Sequence, residues 1–190
     1  MTTKPWTSVV RRELSGARRV AVLGVGNPDR GDDGAGLACV RALRKVRPPL
    51  SRRVRLIEAG SVPENFTASV RRFSPSHVIV VDAARAGRRP GAVFPVDPRR
   101  IAHQDVSSHR APLSWLARYL TETVGCHVVL IGIQPGRTKA PGPLSSAVGK
   151  SAERVAAGLA RILEIVRTPK NGARTIRARK RPRRVRSSSA

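Results

Sequence analysis

Aromatic residues are scarce in this chain: three Phe, two Trp and one Tyr among 190 residues. None is interleaved with basic residues, so the stacking platforms of single-stranded nucleic-acid binders are not visible. Cysteine is scarcer still. Cys39 and Cys126 stand alone, without the spacing of a zinc site, and read as buried thiols in a reducing compartment. No apolar run approaches the ~18 residues of a membrane-spanning helix. The first dozen residues lack the apolar centre of a signal peptide. A cytoplasmic protein without a membrane partner is therefore expected.

Acids are the third scarcity: twelve Asp and Glu against 37 Lys and Arg, a formal charge of +25. Part of the excess is a tail. Residues 168–190 carry nine bases and no acid, but the body stays basic without them. Such a charge favours loose contact with polyanions, or simply keeps the chain in solution. Nucleic acid is expected to bind only weakly, through the tail. With little there to bury, the tail is expected to be disordered. Truncation after Arg167 should leave the melting temperature nearly unchanged; a large drop would mean that the tail packs on the body.

What is present is an alternation of short apolar runs and helical patterns. Val20 to Leu23, Val54 to Ile57, Val78 to Val81 and Val128 to Ile133 read as strands, and Ala92 to Val96 as a short strand at an edge. Helical spacing follows Gly36, runs through Phe66, Val70 and Phe73, resumes from Leu113 to Leu120, and returns from Ser145 to Val166. A short helix is expected around Ser8 to Leu14. The alternation predicts an α/β fold, a three-layer sandwich with a twisted, mostly parallel sheet and helices on both faces. The expected organisation is an N-terminal extension over 1–17, one domain over 18–167 and the basic tail over 168–190. A monomer is expected.

With so few acids, their placement is informative. Asp29, Asp32 and Asp33 follow the first strand; Glu58 and Asp82 end the second and third. In open α/β sheets ligands bind at the carboxyl ends of the strands, so an acidic pocket on a basic protein is expected there. The glycine loop is no dinucleotide site: Asp29 stands where the third glycine of Gly-x-Gly-x-x-Gly belongs, and three carboxylates would repel a pyrophosphate. They suit a cation. The plainer reading is that Asp32 or Asp33 caps the helix that follows. His109, in the loop ahead of a helix, can complete a three-ligand set with two carboxylates, or be an ordinary loop histidine. His77 and His127 open strands and read as structural. His103 is less well placed. No nucleophile signature of the Ser/His/Asp or Cys/His kind is present.

Five segments come in a recognisable order: Gly24-Val-Gly-Asn-Pro-Asp-Arg-Gly-Asp-Asp-Gly-Ala-Gly36, Gly60-Ser-Val-Pro-Glu-Asn65, Val80-Val-Asp-Ala83, Ser108-His-Arg-Ala-Pro-Leu113 and Ile131-Gly-Ile-Gln-Pro135. Over about residues 19–166 the chain resembles the hydrogenase maturation endopeptidases, most closely the branch that processes the large subunit of hydrogenase 3. The resemblance implies an endopeptidase that removes the C-terminal extension of a [NiFe]-hydrogenase large-subunit precursor once nickel has been inserted. It implies a metal site of Asp33, Asp82 and His109, with Asp33 and Asp82 as catalytic acids and the divalent ion supplied by the precursor's own nickel. The chain lacks the paired aspartic-protease signature, which favours metal-assisted hydrolysis. Two rival readings stay open: a non-catalytic protein that binds the nickel site, and a basic nucleic-acid binder. The N-terminal extension, the tail and a short basic segment over 137–143 depart from the family pattern.

Overall fold

Val78 to Val81 are apolar at every position because both faces of their strand are covered. In a computed structural model, which describes residues 5–97, 113–138 and 141–166, they belong to β3 (His77–Ala83). It lies in the middle of a five-stranded sheet, with β1 (Val20–Val25), β2 (Val54–Gly60), β4 (Val93–Val96) and β5 (His127–Ile133). The order is β2-β1-β3-β5-β4. The first four strands in that order are parallel, and β4 runs antiparallel to β5. β4 is an edge, as expected, and carries Pro95 there, where a missing N–H costs no ladder bond.

The side-chain period of two divides the interior. Val20, Val22, Ile79, Val81, Val129 and Ile131 face one core with Val40, Leu43, Val155 and Leu159, from α2 (Ala35–Arg44) and α5 (Ser146–Leu163). Ala21, Leu23, Val78, Val80 and Leu130 face the other with Val70, Leu116 and Leu120, from α3 (Thr67–Phe73) and α4 (Leu113–Val124). The architecture is therefore the three-layer α/β sandwich that the alternation predicts. The helix expected near Ser8 is α1 (Trp6–Glu13). Although outside the family pattern, it is packed: Val10 and Leu14 are fully buried in the α2–α5 core, and the Trp6 ring lies over Gly158 of α5.

Gly36, near the start of α2, sets the depth of the helix against the sheet. A Cβ at this position would sit 2.2 Å from the Val81 carbonyl oxygen and 2.3 Å from that of Val25. The helix thus meets the carboxyl ends of β1 and β3 backbone to backbone. Gly36→Ala should cost about 3 kcal/mol or more, since main chain must move rather than a side-chain tip. Denaturant unfolding would measure it, and an unchanged midpoint would mean that α2 can lift without loss.

Candidate functional site

The acids at the carboxyl edge separate by register and by partner. Glu58 lies on β2 with its face toward α2, because Ile57 and Ala59 on either side belong to the other core. It pairs with Arg41 at 2.8 Å and with Arg44. Glu58 is therefore held on the outer face of α2, a correction to its expected place in an acidic pocket. Asp29 is exposed, and its N–H donates to Asn27 Oδ1 at 2.9 Å in a local turn.

Asp32 is 1% exposed and accepts four hydrogen bonds from a distant loop. The N–H groups of Gly136, Arg137 and Ser145 donate at 2.8, 2.9 and 2.6 Å, and the Ser145 hydroxyl at 3.0 Å. Burial pushes its carboxyl up, but the bonds from Arg137, Ser145 and Gly136 outweigh burial and hold it below the ordinary carboxylate range. Neither α2 nor the 3-10 turn ahead of it, Gly31–Gly34, has a side-chain cap. The capping reading is thus replaced. Asp32 fastens the loop after β1 to the loop after β5, a role that sequence reasoning does not find. Backbone bonds run beside it, from Gly31 N–H to the Gly142 carbonyl and from Asp32 N–H to the Arg137 carbonyl.

Asp33 and Asp82 are 3% and 2% exposed. Asp33 Oδ2 accepts the Asn27 N–H at 2.9 Å. Its carbonyl closes on Gly26, whose φ of +133° and absent Cβ leave the space; a Cβ there would lie 1.8 Å from that oxygen. Asp82 pairs in register with Gly132 and follows Val81, whose carbonyl abuts Gly36. Both acids are buried at the carboxyl edge where α2 begins. Asp82 shares its face with Val78 and Val80, on the α3–α4 side.

His109 lies outside the described residues, as do His103 and Asp105. Among the described residues no three His, Cys, Asp or Glu side chains are grouped to hold a metal. Leu113, the first residue of α4 and four positions beyond His109, is packed in the core on the Asp82 side of the sheet.

Gln134 is a further residue of this edge, one to which the sequence alone assigns no role. It is 6% exposed. Its Oε1 accepts the N–H groups of Ala86 and Arg88 at 2.8 and 3.1 Å, which fixes the loop that leaves β3 just past Asp82. His77 and His127 are at the opposite edge, with rings 5.6 Å apart. His127 contacts Glu13 at 2.8 Å, and burial, then His127, lower the His77 pKa. Both fit the structural reading. Cys39 and Cys126 are buried thiols, and burial pushes the Cys39 pKa up to about 12.

Residues 37–162 match the hydrogenase maturation protease family, a span that includes Asp82 and His109. The crystal structure of a [NiFe] hydrogenase maturation protease from Thermococcus kodakarensis superposes with a TM-score of 0.75 at 33% identity, over 82% of this chain and 99% of that one. The hydrogenase 3 maturation protease of Escherichia coli is 37% identical over 115 residues, 60% of this chain and 71% of that protein. A hydrogenase maturating endopeptidase of E. coli, at 24% identity, has the same fold with a TM-score of 0.65, over 77% of this chain and 93% of that one.

Proposed function

The chain belongs to the hydrogenase maturation protease family and is an endopeptidase; from that premise we propose that it removes the C-terminal extension of a [NiFe]-hydrogenase large-subunit precursor after nickel insertion. The observation that carries the reading is the burial of both Asp33 and Asp82, one in the turn that leads into α2 and one at the carboxyl end of β3. Hard carboxylates joined by one imidazole make a suitable donor set for a divalent ion. Asp33, Asp82 and His109 would hold it, and the ion is the precursor's own nickel.

Held there, such an ion would supply Lewis-acid polarisation of the scissile carbonyl. A carboxylate of the chain takes a proton from the attacking water as its oxygen bonds to the carbonyl carbon, and returns that proton to the departing amine as the C–N bond breaks. Asp32 and Gln134 keep the two flanking loops in place while the substrate is bound. The enzyme acts as a monomer, and in the cytoplasm, a location supported by its two free, buried thiols. Among the described residues no helix is long and apolar enough to cross a membrane. The catalytic domain is 18–167, with α1 packed against it.

Incubation with nickel-loaded precursor, followed by gel mobility and mass of the product, tests the proposal. One cleavage near the precursor's C-terminus is expected, with nickel-free precursor left intact. Tight binding without cleavage would replace the protease reading with that of a nickel-site chaperone.

A further inference from the structure

A second surface lies at the opposite edge of the sheet. Where the strands begin, a cleft of about 1090 Å³ is lined by Arg18, Arg19, Arg52, Arg53 and Arg71, and by no acid. Five of its thirteen lining residues are basic, about twice the share in the whole chain. Four arginines elsewhere in the fold have acids of their own: Arg12 pairs with Glu13, Arg41 and Arg44 with Glu58, Arg118 with Glu122. Among the described residues none of the five cleft arginines is in an ion pair. Like charges gathered without counter-charge raise the energy of the empty state and favour an anion.

The cleft is also held in shape. Ser76 Oγ accepts the N–H groups of Arg18 and Arg19 at 2.9 and 3.2 Å. The Arg19 guanidinium lies 4.3 Å from the centre of the Phe73 ring. The Arg53 carbonyl accepts the Val20 N–H at 2.9 Å, joining the two arginine pairs through the ladder. α5 ends at the same edge, since Glu164 shares a small cavity with Pro48 and Leu50 ahead of β2. The nine bases of 168–190 follow it in sequence.

We infer that this arginine cleft binds a chain of phosphate groups. Guanidinium forks match phosphate oxygens two at a time. Arginines from three separate segments meet one cleft, so the ligand must present closely spaced charges along one side. A polyphosphate or a nucleic-acid backbone does so. An extended acidic peptide turns successive carboxylates to opposite sides. No Phe, Tyr or Trp side chain lines the cleft, so bases would not be read by stacking.

The test uses the full chain and its variant Arg52→Gln/Arg53→Gln/Arg71→Gln. A control, Arg11→Gln/Lys150→Gln/Arg161→Gln, removes the same charge elsewhere. Binding of a labelled oligothymidylate is followed by anisotropy across a salt series. The cleft variant should bind about tenfold more weakly, with its salt slope reduced by roughly 0.7 for each phosphate that is no longer neutralised. The control should stay close to the parent. Sodium tripolyphosphate that raises the melting temperature of the parent but not of the cleft variant assigns the site to free polyphosphate as well. A response to the oligonucleotide alone assigns it to a nucleic-acid backbone. An equal loss in the control overturns the proposal, because the tail and overall charge then suffice. Poly-glutamate bound as tightly and with the same dependence on the cleft also overturns it. Precursor processing by the cleft variant should match the parent, since Asp82 lies at the other end of the strands.

Discussion

Asp82→Asn should abolish processing of the nickel-loaded precursor, with a loss of about 100-fold or more, while the protein still folds. Asp82 is buried in register with Gly132 at the end of β3. Asparagine has the same shape, so the packing around it survives. The neutral amide is a far weaker ligand for a divalent ion and a poor base. Asp33→Asn should lose activity to a similar extent, and its amide oxygen can still accept the Asn27 N–H that Asp33 Oδ2 accepts now. Their places at strand and loop ends suggest, from sequence, that removing either carboxylate leaves little buried. Their burial changes that reasoning: it is the isosteric exchange, not exposure, that spares the fold. Melting temperatures of both variants should fall within about 4 °C of the parent. Full cleavage by Asp82→Asn would remove that residue from the site. Failure of Asp33→Asn to fold would make Asp33 a structural residue.

The layered fold is legible because it depends on local pattern. Continuous apolar runs mark β1, β3 and β5 as covered on both faces, and helical spacing marks the elements that cover them. The packing of α1 is less legible. Val10 and Leu14 look like an ordinary amphipathic turn until α5, β4 and β5 are in place beside them. Glu58 shows a different limit. Its position at a strand end could be read, but the choice between the two faces follows from a period of two, and Arg41 and Arg44 lie more than a dozen residues upstream. Asp32 is the extreme case. Its partners are over a hundred positions away, in the loop from Gly136 to Ser145. Nothing local separates Asp33, a candidate cation ligand, from Asp32, which ties two loops together. The family resemblance singles out Asp33 and Asp82 as the candidates for chemistry, and tertiary geometry assigns Asp32 to the frame.

Asp32→Ala is accordingly expected to produce the largest loss of stability among the acids of this edge. Three backbone N–H groups and one hydroxyl lose a charged acceptor in a buried place. With partial rescue by water, the cost should be about 3–5 kcal/mol, a large part of the 5–15 kcal/mol typical of a domain. Asp32→Asn should cost less, since one acceptor oxygen remains, but its NH₂ group would face donors. The effect carries a pH signature. The folded-state pKa of Asp32 is lowered, so its contribution is fully present above the unfolded value of about 3.9 and is lost as pH falls through the folded value. The gap in melting temperature between parent and Asp32→Ala should therefore be widest near neutrality and narrow below about pH 4. Processing should also fall in Asp32→Ala, because the turn that carries Asp33 is no longer tied to the loop after β5. That loss should be recovered in part on cooling, whereas the loss in Asp82→Asn should not. A gap that stays constant down to pH 3, or an unchanged melting temperature at pH 7, would show that the 136–145 loop is held by its backbone bonds alone.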